Sequence, residues 1–110
     1  MKSSDAVEKS IVWVGSSLED LRQFPEDVKA EIGYALYLAQ IGKKHPNAKP
    51  LKGFTGVIEI VSNYGRDTYR AVYAIKLGDR VYVLHAFKKK SKRGIKTPKQ
   101  EIDLIRARLK

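Results

Sequence analysis

Two β-rich runs joined by a tight turn constrain this chain more than any other feature of its sequence. Residues 69–76 and 80–87 are rich in β-branched and aromatic side chains. The Gly78-Asp79 pair between them suits a two-residue hairpin turn of type I′ or II′. The sequence therefore predicts a β-hairpin.

The position of this turn sets the register of the hairpin. Counting back from it gives three cross-strand pairs: Leu77 with Arg80, Val72 with His85, and Arg70 with Phe87. Because side chains alternate across a strand, one face should carry Arg70, Val72, Ala74, Val83, His85, Phe87 and, further along, Lys89. The more apolar face should pack on the core, and it comprises Tyr69, Ala71, Tyr73, Ile75, Tyr82 and Leu84.

Arg70 is the residue of chemical interest on the less apolar face. An arginine on a rigid strand, beside a second cation and an aromatic ring, suits a ligand with a phosphate and a base. An arginine with its stem on the sheet and its head in water fits the same pattern. The hairpin alone leaves both interpretations open.

Charge and composition narrow the classes of partner. The 110 residues are enough for one domain, and 22 Lys plus Arg against 12 Asp plus Glu give a formal net charge of +10. This excess favours nucleic acid or the ribosome as a partner, ahead of an acidic protein. The absence of cysteine excludes disulfides. With two histidines and no cysteine, the chain has few of the ligands that protein zinc sites use, so the sequence argues against a zinc site. We predict no metal, no small-molecule cofactor and no membrane partner, and a cytoplasmic location.

The chain before the hairpin reads as a strand, two helices, a basic loop and a strand. Residues 1–10 are a polar lead-in, and residues 11–14 are a short apolar run typical of a strand. A short helix over 18–24 precedes the main core helix, which begins near Pro25 and ends near Gly42. Its apolar stripe comprises Val28, Ile32, Ala35, Leu36 and Ala39. Residues 43–56 read as a loop, and residues 57–61 as the next strand.

The chain after the hairpin reads as a basic loop and a closing helix. Thr97-Pro98-Lys99-Gln100 is typical of a helix start, and Ile102, Ile105 and Leu109 form an inner stripe. The predicted fold is a single α+β domain over 1–110 with the order β-α-α-β-β-β-α. Its antiparallel sheet should have helices packed on one face, which leaves Arg70 and its neighbours facing solvent.

The order of elements and three sequence stretches resemble a known family. The stretches are TYRAVYAI, VYVLHAFKKK and KTPKQEIDLIRARL. Together they resemble the RelE/ParE toxin superfamily, specifically the phage-derived Gp49-like branch that includes HigB-type toxins. The resemblance covers roughly residues 11–109, and it is most specific in the C-terminal third.

The resemblance implies the toxin of a bacterial toxin–antitoxin pair, neutralised by a helix-turn-helix antitoxin. Such toxins are commonly metal-independent endoribonucleases that cut mRNA on the ribosome. The ribose 2′-hydroxyl attacks the adjacent phosphate, while cationic groups stabilise the charge that develops there. Two alternatives on the same scaffold are a ParE-type gyrase inhibitor and an inactive phage-derived relic that binds RNA or protein.

The resemblance also implies roles for individual residues. Arg70 aligns with the family's phosphate-stabilising arginine, and Lys89 occupies the place of a basic active-site residue, with Lys88 and Lys90 as alternatives. The proton acceptor is Glu59, or else Lys49 or Lys52 in the basic loop. The further residues expected to contact RNA are Lys49, Lys52, Arg66, Phe87, Lys88, Lys90, Lys92 and Arg93.

Two positions have an alternative role at this stage, and a third departs from the pattern of the family. Glu59 has an equally good structural role, as the ion-pair partner of Arg70 or Arg66. His85 suits a general acid, but its place inside a strand favours a structural histidine. Val61 stands where related chains often have an arginine, a role that Arg66 is expected to fill from the turn.

Overall fold

The protein folds into five strands and three helices. The computed structural model describes residues 8–76, 79–90 and 97–109, without the side chains of Lys76 and Lys90. The elements are β1 (Ser10–Trp13), α1 (Ser17–Arg22), α2 (Glu26–Gln40), β2 (Ala48–Pro50), β3 (Val57–Tyr64), β4 (Asp67–Lys76), β5 (Arg80–Lys90) and α3 (Lys99–Leu109). The predicted order is confirmed, with one addition. The loop expected over 43–56 contains the three-residue strand β2.

The strands form one sheet in the order β1-β5-β4-β3-β2. The last three strands of the chain are antiparallel neighbours, as predicted, and β1 pairs with β5 in parallel. The short strand β2 pairs antiparallel with β3 and forms the edge of the sheet. The hairpin therefore lies in the middle of the sheet, with β4 as its central strand.

The hairpin contains a β-bulge that the sequence did not reveal. Arg70 pairs with Phe87 and Val72 with His85, as predicted. The register shifts at the next position, where Tyr73 pairs with Val83 and Leu84 becomes the extra residue of β5. Near the turn the prediction is therefore wrong by one residue, since Arg80 pairs with Lys76 and not with Leu77.

The bulge changes which side chains share a face. Because the alternation of β5 reverses there, Val83 lies on the face opposite Arg70, whereas Tyr82 and Leu84 join the face of Val72. The predicted assignment of these three residues was wrong. The part of β5 that ends in His85 and Phe87 keeps its predicted side.

Each face of the sheet is covered by helix. One core packs α1 and α2 against Ile60, Ala71, Tyr73 and Val83. A second core, on the other face, packs Ile105 of α3 against Val72, Ala74, Leu84 and Phe87. The expectation that all helices lie on one face was therefore wrong, because α3 crosses to the Arg70 side.

The main core helix forms as its pattern predicts. All five residues of its predicted apolar stripe are buried: Val28, Ile32, Ala35, Leu36 and Ala39. Glu26 and Asp27 lie in its first turn, where carboxylates complement the helix dipole. Gly42, with φ of 81°, follows its end, and the N–H of Lys43 closes the last turn on the Leu38 carbonyl at 2.7 Å.

Polar contacts of α3 hold it on the sheet. The Arg108 guanidinium donates to the Leu84 carbonyl at 2.9 Å, and His85 Nε2 lies 2.5 Å from Glu101 Oε1. Ile105 is fully buried, and Ile102 and Leu109 pack beside it as predicted. The docked helix brings its N-terminal end, with Thr97, to the edge of the sheet where β2 and β3 lie.

Candidate active site

A cavity of about 480 Å³ opens where the start of α3 meets β2, β3 and β4. Its lining combines charged, polar and apolar residues: Lys49, Pro50, Leu51, Lys52, Glu59, Val61, Arg70, Thr97 and Ile102. A pocket with mostly apolar walls and a few convergent polar groups is the usual form of a ligand site. This cavity is therefore the candidate site.

Strand pairing places the charged residues of the cavity. Lys49 of β2 lies directly opposite Glu59 of β3, and Val61 of β3 lies opposite Arg70 of β4. Directly opposed side chains in an antiparallel sheet point to the same face, and diagonal neighbours are within reach of long side chains. Glu59 and Arg70 are such a diagonal pair, and Lys49 stands beside them at the edge of the sheet.

Glu59, Arg70 and Thr97 form a closed hydrogen-bonded cluster on the cavity floor. Arg70 Nη1 lies 3.2 Å from Glu59 Oε2, and the Thr97 hydroxyl donates to the same oxygen at 2.8 Å. Arg70 Nη1 also donates to Thr97 Oγ1 at 3.3 Å. Glu59 is 8% exposed and Arg70 5% exposed. The charges are thus largely removed from water, and each offsets the burial of the other.

The second oxygen of Glu59 has a different environment. Both hydrogen bonds that Glu59 accepts end on Oε2, and within the described ranges Oε1 accepts none. The carboxylate therefore has one oxygen fixed by the cluster and one oxygen available to a group that enters the cavity. A fixed carboxylate with an available oxygen can accept a proton, and the neighbouring guanidinium can bind an anionic oxygen.

The described lining of the cavity presents cations and one carboxylate. Lys49 and Lys52 are exposed at its rim, so their ammonium groups can reach a phosphate that enters from solvent. In the described ranges, no group of three or more His, Cys, Asp or Glu side chains could hold a metal ion. Nor does any helix of those ranges have the length and apolarity needed to cross a membrane.

Comparison with known proteins gives the family. The family model described as phage derived protein Gp49-like (DUF891) matches residues 19–110, which is most of the chain. The chain belongs to the Gp49-like family. No curated protein sequence matches it at a significant level of similarity.

One solved structure similar to this Gp49-like chain is the toxin–antitoxin complex RelBE2 from Mycobacterium tuberculosis. The similarity covers 73% of this chain and 96% of the compared chain, with 20% sequence identity and a TM-score of 0.48.

The structure of this Gp49-like chain brings four of the predicted site residues together. Glu59 and Arg70 lie on the cavity floor, and Lys49 and Lys52 lie at its rim. Of the two roles weighed for Glu59, the ion pair with Arg70 is present, and the available Oε1 is compatible with the other role. Lys49 and Lys52, which the sequence offered as alternatives to Glu59, thus line the same cavity as the Glu59–Arg70 ion pair.

Other predicted residues of the β4–β5 hairpin lie elsewhere. Lys89 is half-buried and pairs with Thr68, on the Arg70 side by alternation, but it is not among the described residues that line the cavity. Lys88 points to the opposite face, where it pairs with Asp67 at 3.2 Å.

Phe87 and Arg66 do not reach the cavity. Phe87 is 7% exposed and stacks on His85 with ring centroids 4.9 Å apart. Because α3 covers it, this ring is not available to stack on a base, and that expectation was wrong. Arg66 lines a separate open depression at the β3–β4 turn, so it does not fill the place beside Val61. The side chain of Lys90, and the whole of Lys92 and Arg93, lie outside the described residues.

His85 has a structural environment. It is buried at 5% exposure between Phe87 and Glu101, and it is absent from the cavity lining. Of the two roles weighed from the sequence, this placement fits the structural histidine.

Thr97 is a polar residue of the described cavity lining that sequence reasoning missed. Its position before Pro98 identified it only as part of a helix start. The signal that could have found it is the stripe of α3, which places Ile102 and Ile105 on the sheet and so fixes where the helix begins.

Proposed function

We propose that this Gp49-like chain is the toxin of a bacterial toxin–antitoxin system and acts as a ribosome-dependent mRNA endoribonuclease. Gp49-like members of the RelE/ParE superfamily, which the sequence resembles, are commonly toxins of this kind. The observation that supports the proposal best is the Glu59–Arg70 cluster on the floor of a cavity with a lysine rim. It supplies a proton acceptor beside groups that bind phosphate.

The proposed reaction forms one bond and breaks one bond at phosphorus. Glu59 Oε1 accepts the proton of the ribose 2′-hydroxyl, and O2′ attacks the adjacent phosphorus. Arg70, in contact with the non-bridging oxygens, stabilises the added charge of the phosphorane. The 5′-oxygen of the next nucleotide leaves with a proton from a rim lysine, Lys49 or Lys52. The products are a 2′,3′-cyclic phosphate and a 5′-hydroxyl.

The experiment is primer extension on a message translated in vitro with purified ribosomes. We expect wild type to produce new mRNA ends and Glu59→Gln, which keeps the size of the side chain, to slow cleavage by about 10²-fold or more. Lys49→Met and Lys52→Met should each reduce cleavage. Lys88→Met is the matched control, because this lysine of the hairpin faces the other side of the sheet.

Each variant is first compared with wild type by thermal unfolding, so that a loss of fold is not mistaken for a loss of chemistry. Folded Glu59→Gln that cleaves at the wild-type rate would exclude Glu59 as the proton acceptor. Equal losses in Lys88→Met and Lys49→Met would exclude the cavity as the site.

A non-catalytic binder on the same scaffold is the second candidate function. This candidate is favoured by the hydrogen bonding within the cluster. Glu59 and Arg70 are buried and already bonded to each other and to Thr97. A gyrase inhibitor or an inactive relic needs no available base. Growth arrest on induced expression without new mRNA ends would support the gyrase-type binder, and absence of arrest would support the relic.

The proposed partner is an antitoxin of the helix-turn-helix type. We expect it to cover the cavity rim or α3 with acidic or apolar groups, because the rim carries Lys49 and Lys52 and the chain has a net charge of +10. Lysine acetylation of the free protein and of its complex would test this. A complex in which Lys49, Lys52 and Lys99 of α3 all react as in the free protein would contradict it.

A further inference from the structure

A glycine in the middle of α2 has no explanation in the contacts of the described residues. Gly33 is exposed and has ordinary helical backbone, and a Cβ added there would meet no atom of those residues within 4 Å. Glycine inside a helix lowers helix stability relative to alanine, because the unfolded chain loses more freedom on folding. In the part of the chain that the structure describes, neither a turn nor a close contact explains the glycine, whereas close approach of another chain would explain it.

The residues around Gly33 form an uncharged stripe on the outer side of α2. The stripe comprises Ala30, Gly33, Tyr34 and Tyr37, all exposed and spaced as neighbours on one helical face. Tyr34 is 55% exposed and Tyr37 is 46% exposed, which places them among the most exposed large apolar side chains described. Aromatic rings beside small residues on an exposed face are typical of a protein interface.

The ring of Tyr34 is held in position from the side. It meets the His45 ring edge-on, with centroids 5.7 Å apart. His45 Nδ1 in turn accepts the N–H of Asn47 at 2.9 Å, and the Asn47 side chain donates to Glu31 of α2 at 2.8 Å. A supported aromatic ring loses little conformational freedom on binding, so it is suited to serve as an anchor.

We infer that this stripe binds the same stripe of a second copy of the chain, with the two α2 helices antiparallel. A twofold axis beside Gly33 would place Tyr34 of one copy over Gly33 of the other, and Tyr37 of one copy over Ala30 of the other. Each ring thus meets a small residue, and the surface is complementary to itself, as a twofold interface requires. The glycine lets the helix backbones approach closely.

The charges along α2 favour a second copy over an acidic partner. Residues 26–44 contain three acidic and three basic side chains, although the whole chain has a net charge of +10. Glu26 and Asp27 lie at the start of the stripe, and Lys43 and Lys44 follow its end. Antiparallel pairing brings the acidic end of each helix to the basic end of the other. The cavity lies on the opposite face of the sheet, so both copies keep it open.

The stripe is smaller than the roughly 800 Å² per partner of a standard interface, so we expect a weak dimer with a dissociation constant on the order of 10–100 µM. Sedimentation equilibrium over a concentration series should show wild type changing from one copy to two. Gly33→Glu should raise the dissociation constant about tenfold or more, since it fills the notch with a charge. Glutamate is a good helix former, so thermal unfolding at low concentration should not be weakened.

Gln100→Glu is the matched control, because it adds the same charge at an exposed position of α3. A second measurement uses the absence of cysteine from the chain. Gly33→Cys should form a disulfide between copies under oxidising conditions, since close helices at the axis bring the two positions together. Tyr64→Cys, exposed in β3, should not. Wild type that stays a single copy well above 100 µM, or a dimer unaffected by Gly33→Glu, would overturn the inference.

Discussion

Two ion pairs of β4, one with β3 and one with β5, have the same length and should differ widely in energy. Arg70 to Glu59 and Lys88 to Asp67 both measure 3.2 Å. The side chains of the first pair are 6% and 10% exposed, and those of the second pair are 45% and 29% exposed. Replacing Arg70 by Met leaves a buried carboxylate with Thr97 as its remaining described donor. We expect this to cost about 3–5 kcal/mol of unfolding free energy.

Lys88→Met, by contrast, should cost about 0–1 kcal/mol, because water screens an exposed pair. The double variant Arg70→Met/Glu59→Leu should recover most of the loss, since no unpaired charge remains buried. A cost of 3–5 kcal/mol is a large part of the roughly 5–15 kcal/mol that holds a domain folded. Growth assays with Arg70→Ala alone would therefore confuse unfolding with loss of catalysis.

Urea unfolding measures these differences, with Trp13, the only tryptophan, as the fluorescent probe. Trp13 packs against the core on the α2 face, so its emission should report global unfolding and remain unaffected by the cavity. With a slope of about 1–3 kcal/mol per molar urea, Arg70→Met should lower the midpoint by roughly 2 M. If Arg70→Met loses no more than Lys88→Met, the cluster is effectively solvated and the argument from burial fails.

Three further predictions concern the fold. Burial raises the pKa of Tyr73 above 10.0. The neutral phenol therefore contributes fully to the free energy of unfolding below the unfolded-state pKa of about 10, and this contribution is lost as pH rises through the folded-state pKa. Urea unfolding at alkaline pH should show a smaller loss of stability in Tyr73→Phe than in wild type. Gly15 has φ of 58°, and an added Cβ would lie 2.8 Å from the Arg108 guanidinium, which is held by hydrogen bonds to the Leu84 carbonyl and the Ser16 hydroxyl. Moving the guanidinium would weaken these bonds, so Gly15→Ala should lower the melting temperature more than Gly53→Ala, where an added Cβ would meet no described atom within 4 Å; equal shifts would contradict the contact. Ile105 is fully buried where α3 packs on the sheet, so Ile105→Ala should lower the free energy of unfolding, measured in urea, by about 2–5 kcal/mol. A loss below about 1 kcal/mol would mean that α3 repacks.

The sequence predicted local structure well where one pattern dominates. The stripe of α2 follows from periodicity alone and is confirmed. The register at Arg70 and Phe87 was counted from the turn, and it is confirmed because the extra residue Leu84 offsets the error of one residue near the turn. The bulge at Leu84 is invisible in the sequence, because a bulge depends on how two strands and a covering helix pack together. One extra residue then reversed the sides predicted for Val83 and its neighbours.

The candidate site was predictable in part. The resemblance pointed to Glu59 and Arg70, and alternation places both side chains on one face of adjacent strands. Thr97 was not found, because its hydroxyl reaches them only through the docking of α3, a contact between residues far apart in the chain. Phe87 was misjudged for the same reason, since its exposure depends on which face α3 covers.

The position of Thr97 in the chain determines when the cluster can form during synthesis. Thr97 follows every strand that the structure describes, so during synthesis these strands, with Glu59 and Arg70, are made before the residue that completes the hydrogen bonds of the cluster. Until α3 docks, the second core is open and Glu59 lacks one of its two donors. On the proposed function, a nascent chain that lacks α3 would therefore carry Glu59 and Arg70 without the hydrogen bonds that Thr97 adds to their cluster.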